Sequence, residues 1–197
     1  MAINRVPEPS DGELMERARQ GEREAFAAIY RRHQAVVHRF ARSMTGSPEV
    51  ADDVVQDVFL TLMRDLGRYD SSRAALSTYL YGVARNLVRH RLRRERRWVE
   101  LDAASERVAS GDVGAQMVES ERVRQVRAGI ASLSVRHREV LVLCDLHEVS
   151  YIDAAVALKV PVGTVRSRLH RARQQLLERL RRCDARAVMP SRSTCLT

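Results

Sequence analysis

No apolar run in these 197 residues approaches the roughly 20 residues that a helix needs to cross a bilayer. The N-terminus also lacks the charged-then-apolar pattern of a secretory leader, so the chain reads as cytoplasmic, with no membrane insertion. Aromatic residues make up 5% of it and glycine occurs 9 times, a shortage that argues against a strand-rich fold and for an all-α one. Lysine is nearly absent: of 34 Lys+Arg residues only Lys159 is lysine. Arginine's planar fork favours bidentate contacts to phosphate and guanine over point-charge attraction. Against 25 acidic residues the formal net charge is +9, which points to a nucleic-acid partner. The cysteines Cys144, Cys183 and Cys195 are odd in number and widely spaced, which excludes a disulfide framework. Cys144 and His147 stand three apart and could share a metal, but no second close pair completes a tetrahedral set, so no metal or other cofactor is expected. Cys183 and Cys195, in a tail with Pro190 and Ser191, are either redox-active thiols or inert ones. Asp52, Asp53 and Asp57 are the only dense acids and have no histidine or cysteine close by in sequence, so no catalytic set and no enzyme is expected.

Helical periodicity runs from about Asp11 to Arg97. It is interrupted at Gly21, at Gly46-Ser47-Pro48 and from Gly67 to Ser72, which divides it into four helical stretches. Before it, residues 1–10 are polar, carry Pro7 and Pro9, and read as disordered. Residues 99–118 lose the period and mix small, acidic and glycine residues, as a flexible linker does. The period returns over 119–182 and leaves a tail at 183–197. The expectation is two small helical domains, 11–98 and 119–182, joined by a tether.

Residues 161–173 read Pro-Val-Gly-Thr-Val-Arg-Ser-Arg-Leu-His-Arg-Ala-Arg. An apolar-periodic segment opened by Ser150 lies just ahead, with Asp153 at capping-box spacing, and the pair has the spacing of a helix-turn-helix. Pro161 suits a first helical turn, where its missing N–H would have had no partner. Val162, Val165, Leu169, Ala172 and Leu176 recur at helical steps and face the protein, leaving Arg166, Ser167, His170, Arg171 and Arg173 as a basic reading face.

In the front half, charge is sorted by segment. Residues 49–57 carry four acids and no base, whereas residues 85–97 carry seven arginines against Glu95. In the acidic segment Ala51, Val55, Val58, Phe59 and Leu62 form the buried stripe, so Asp53, Gln56, Asp57 and Leu60 project outward together; taken alone, they read as a solvated face. In the basic segment Leu76, Leu80, Val83, Ala84 and Leu87 are apolar, and Arg85, Arg89 and Arg93 form a ridge able to track a phosphate backbone. Tyr69, Tyr79 and Tyr81 lie nearby with Trp98 beyond. Rings beside arginines suit unstacked bases, although at least one of Tyr79 and Tyr81 is expected in the core.

Four blocks, 52–60, 77–88, 133–143 and 163–173, together resemble the extracytoplasmic-function group of sigma-70 bacterial sigma factors, in the order that family uses and across nearly the whole chain. The resemblance implies a stress-responsive, two-domain initiation factor with sigma region 2-like and region 4-like units. It would bind core RNA polymerase at the largest-subunit coiled coil and the flap, read promoter DNA at the minus-35 and minus-10 elements, and be held inactive by an anti-sigma protein. It assigns Asp53, Gln56, Asp57 and Leu60 to the polymerase coiled coil, reversing the solvated-face reading. Tyr69, Arg73, Tyr79, Arg85, Asn86, Arg89 and Arg93 fall to the minus-10 element, and Thr164, Arg166, Ser167, His170, Arg171 and Arg173 to the minus-35 element. The chain departs from the family pattern at Tyr79 (most often tryptophan), Gly82 (commonly arginine), His90 (commonly an acid), Lys159 (often the turn glycine) and Ile152-Asp153 (usually paired acids). The rival reading, an autonomous operator-binding regulator, needs only the helix-turn-helix and leaves the front domain unexplained.

Overall fold

The computed structural model describes residues 8–102 and 121–187, with side chains described for 8–94 and 121–183. The first seven residues, most of the stretch assigned to the linker, the end of the tail with Cys195, and the Trp98 ring lie outside that description. Every regular element among the described residues is helical. The front half comprises α1 (Asp11–Arg19), α2 (Arg23–Thr45), α3 (Pro48–Arg64) and α4 (Leu76–Asp102); the back half comprises α5 (Glu121–Ala131), α6 (Val135–Leu141), α7 (Tyr151–Leu158) and α8 (Val162–Ala187). These are the two all-α domains expected from the periodicity, and α4 continues four residues past position 98.

Local chemistry sets the boundaries. The Ser10 hydroxyl accepts the Glu13 N–H at 3.2 Å while the Glu13 carboxylate accepts the Ser10 N–H at 2.7 Å, a reciprocal cap that opens α1. Arg32 reaches back to the Pro9 carbonyl at 3.1 Å, so the last residues of the polar N-terminal segment are tied to α2. Gly46 closes α2 at φ 82°, and Ser47 then caps α3 with Pro48 at its first turn, a stop-then-start punctuation legible in the sequence. Ser150 caps α7 by accepting the Asp153 N–H at 3.1 Å. The return half of that box takes another form, because the Asp153 carboxylate accepts the Ser150 hydroxyl instead. Pro161 sits one residue ahead of the place expected for it: α8 begins at Val162, and the Pro161 carbonyl accepts the Val165 N–H.

In the front domain α2 lies against α1, α3 and α4, burying Leu14, Met15, Ile29, Phe40, Met44, Val58, Leu62, Leu76 and Leu80. In the back domain α8 packs on α5, α6 and α7 around Val140, Leu143, Leu158, Val165, Leu169 and Ala172. The two bodies also pack on each other, α4 against α7 and α2 against α5 and α6. Arg138, buried in this seam, donates to the Met44 carbonyl at 2.6 Å and to the carbonyls of Ala131 and Leu133, satisfying the C-terminal end of a front helix from the back domain.

Lys159 ends α7 in the left-handed region, at φ 54° and ψ 49°, where a side chain is disfavoured and glycine is the usual cap. Lys159→Gly should therefore stabilise the back domain by about 0.5–1 kcal/mol, read as a raised midpoint in urea unfolding; a lowered midpoint would contradict the strain.

Candidate nucleic-acid interface

The basic face of α8 forms because its apolar positions face inward. Val165, Leu169 and Ala172 are buried, which turns Arg166, Ser167, His170, Arg171 and Arg173 to solvent, with Thr164 half-buried at the helix start. The Ser167 hydroxyl donates to the Thr164 carbonyl at 3.1 Å. The Arg166 guanidinium lies 6.0 Å from the centre of the Tyr151 ring, a weak cation–π contact that orients it without removing it from solvent. Arg173 differs: it forms a fork on Asp145, at 2.7 and 3.0 Å, and that carboxylate holds it still more firmly cationic. Five of the six residues expected to read the minus-35 element thus share one open helix face, and the sixth is anchored at its edge.

The residues expected at the minus-10 element divide into two groups. Tyr69, Arg73, Tyr79 and Asn86 line one cleft of about 570 Å³ between the loop after α3 and the start of α4, which Val156 and Lys159 of the back domain also line. Tyr69 is only 4% exposed and meets Tyr79 edge-on with ring centres 5.6 Å apart; burial raises both phenols. The loop is pinned from beneath by Arg19, which donates to the carbonyls of Leu66 and Tyr69. Hydrogen bonds from Ser72 hold the Asp70 carboxyl below its usual range. Tyr81 is a core residue: its ring packs against Phe40 and His147. Arg85 and Arg89 do not line this cleft; they point across the seam to Glu139 of α6. Arg93 is exposed and donates to the Arg89 carbonyl, so the expected arginine ridge is interrupted in this arrangement.

The acidic segment divides as well. Gln56 and Leu60 line a groove of about 700 Å³ between α2 and α3, with Phe26, Tyr30, Phe59 and Met63. Asp53 and Asp57, next to them on α3, do not line the groove; Arg91 of α4 reaches them at 3.2 and 2.6 Å.

Comparison with known proteins places this geometry. Residues 29–98 match the family described as Sigma-70 region 2, and residues 124–176 match Sigma-70, region 4. The chain is 30% identical over 178 residues to the ECF RNA polymerase sigma factor SigW of Bacillus subtilis, covering 85% of this chain and 95% of that one. It is 36% identical over 171 residues to ECF RNA polymerase sigma factor SigM of Mycobacterium tuberculosis, covering 86% and 84%. The chain belongs to the extracytoplasmic-function group of sigma-70 sigma factors. Among solved structures, CnrH in complex with the cytosolic domain of CnrY is similar at a TM-score of 0.66 and 29% identity, over 87% of this chain and 97% of that one. The sigma factor RpoE in complex with the anti-sigma factor NepR from Bartonella quintana is similar at 0.63 and 26%, over 75% and 91%.

Within this sigma factor, sequence reasoning missed the residues that cross between elements: Arg91, Arg138, Glu139 and the Tyr81–His147 pair. Glu139 carried little signal, because in sequence it follows Arg136-His137-Arg138 and stands at the edge of the apolar run Val140 to Leu143. Cys144 is half-buried, and burial pushes its thiol up to about 11, so at neutral pH it is a packed thiol with little thiolate.

The Tyr81 hydroxyl lies 2.9 Å from His147 Nδ1. Burial, with Arg39 adding to it, pulls the imidazole down to about 4, and burial pushes the phenol up to about 12, which makes Tyr81 the donor and neutral His147 the acceptor. Because the folded value lies below the ordinary His value near 6.5, the unfolded chain takes up the proton first as pH falls. Stability present above about pH 6.5 is then lost progressively toward pH 4. Between pH 7 and 5 the loss should be about 1–2 kcal/mol, measured as urea midpoints, and should largely vanish in His147→Gln; an equal pH slope in both proteins would contradict this.

Proposed function

We propose that this sigma factor, mounted on bacterial core RNA polymerase, directs initiation by setting the open face of α8 in the major groove of the minus-35 element and melting the minus-10 element at the tyrosine cleft. The observation that carries the reading is the solvent-facing array of Arg166, Ser167, His170 and Arg171 at the start of a helix whose opposite side is buried. Side chains at that end of a recognition helix reach base edges. Arginines there can take guanine in bidentate fashion.

Melting is a matter of balance. Unstacking costs a few kcal/mol per step, and a base received on an aromatic ring recovers about 1–3 kcal/mol. Tyr69 is largely covered, so Tyr79, half-buried at the cleft, is the ring available to a base, with Asn86 offering an amide and Arg73 a charge. The groove lined by Gln56 and Leu60, bordered by exposed Tyr30 and Met63, is where the polymerase coiled coil would dock, and the polymerase flap would hold the back domain. Asp53 and Asp57 would contribute by placing α3 against α4. The work is done by binding rather than by catalysis, in the cytoplasm where polymerase is. An anti-sigma partner is supported by the resemblance to RpoE in its complex with NepR. No helix among the described residues is long and apolar enough to cross a membrane.

Reconstitution with bacterial core polymerase and mapping of transcription starts tests the reading; tight, sequence-specific duplex binding by the chain alone with no effect on polymerase would favour the autonomous regulator. In that holoenzyme Arg166→Ala and Arg171→Ala should each cost about 1–3 kcal/mol of upstream-element binding, and unchanged affinity in both would remove the assignment. Leu60→Arg, on the groove, should weaken assembly with core polymerase while leaving the helical circular dichroism unchanged; normal assembly would count against the groove.

A further inference from the structure

A cavity of about 610 Å³ opens where the end of α2 meets α5 and the segment that follows α6. Cations line it from both helices: Arg39 and Arg42 come from α2, Arg122 and Arg127 from α5, and no acid is among the lining residues. Their positive potential reaches His147, which also lines the cavity and whose low value owes part of its shift to Arg39. The rest of the wall is largely apolar. Met44 and Ile130 are buried and Val126 is half-buried, whereas Leu146 and Val123 leave 49% and 42% of their surfaces to solvent. The carbonyl end of α2 borders the cavity and by itself disfavours an anion. That effect is offset, because Arg138 donates to the Met44 carbonyl and Arg42 stands in the last turn of the helix.

We propose that this cavity binds a small anionic amphiphile, a single acyl chain with a carboxylate head, whose chain lies against Met44, Val126, Ile130 and Leu146 and whose head is held by the arginines. The volume falls within the roughly 300–1,000 Å³ typical of small-ligand sites. The lining selects the chemistry. A nucleotide base needs a ring to stack on, and no phenylalanine, tyrosine or tryptophan lines this cavity. An inorganic anion makes no use of the apolar wall, and a neutral hydrocarbon makes none of the four cations. A guanidinium takes a carboxylate through two parallel hydrogen bonds, so an acyl carboxylate uses both halves of the lining. Seated there, the ligand touches α2 and α5 together and binds only the folded chain, which stabilises the fold in proportion to ligand concentration. None of the residues assigned to promoter DNA lines the cavity, so the inference stands apart from the promoter reading.

Isothermal titration calorimetry of the full-length chain with dodecanoate, kept below its micelle concentration, tests the site. One saturable site per chain is expected. Each buried methylene is worth about fourfold in affinity, so decanoate should bind about fifteenfold more weakly and acetate should give no heat. Dodecyltrimethylammonium, the same chain on a cationic head, should not bind. The double variant Arg42→Gln/Arg122→Gln changes two exposed side chains, which spares the fold, and should weaken dodecanoate about tenfold. Leu146→Gln, which leaves every cation in place, should weaken it too. Absence of saturable dodecanoate binding would overturn the proposal, as would equal affinity for the cationic amphiphile or wild-type affinity in both variants. Binding of an acidic helical peptide of glutamate and leucine that dodecanoate fails to displace would assign the cavity to a protein partner and likewise overturn it.

Discussion

A carboxylate with no solvent exposure, placed between two helical bodies, dictates much of what surrounds it. Glu139 cannot be buried without cations, and the guanidinium groups that supply them belong to α4 of the other body. That requirement fixes the face of α4 turned to the seam, and with it the crossing of α7 at Gly82, the Thr78–Asp153 bond and the Tyr81–His147 pair one turn away. Arg138, the neighbour of Glu139, adds the complementary contact by donating to the end of α2 at Met44. Two adjacent residues of α6 thus tie the back domain to two different helices of the front one.

The surfaces left outside the seam are those that a partner would meet first. The α8 face that carries Arg166 and Arg171 is open, as is the apolar groove between α2 and α3. The tyrosine cleft is bordered by α7, and the arginines beyond it are occupied. On the proposed assignments, the surfaces for the upstream element and for polymerase are open in this arrangement, while Arg85 and Arg89 face the seam.

Local physics made the elements legible. Gly21 and the Gly46-Ser47-Pro48 run ended and restarted helices where they stood, because a left-handed cap and a proline first turn act within a few residues. The reading face of α8 was legible for the same reason: a period of 3.6 assigns Val165, Leu169 and Ala172 inward and leaves the arginines outward. The front-domain site was only half legible. Periodicity shows that Asp53 and Asp57 leave the core but not that Arg91 meets them, and a regular run of arginines does not reveal which of its members answers a distant glutamate. Pairing across helices depends on how whole bodies pack, which spacing within one helix does not record. The lysine at the α7 turn was legible as a departure from glycine, and it adopts the left-handed backbone that the turn demands.

The seam of α4 and α2 against α5, α6 and α7 is the contact on which the rest of the structure depends. Spin labels on α1 and on the distal half of α8, with the native cysteines replaced, would report this as an interspin distance distribution by double electron–electron resonance. A single narrow distribution in the isolated chain, as a fixed seam requires, is the result this structure predicts. A broad distribution spread over many distances would contradict it.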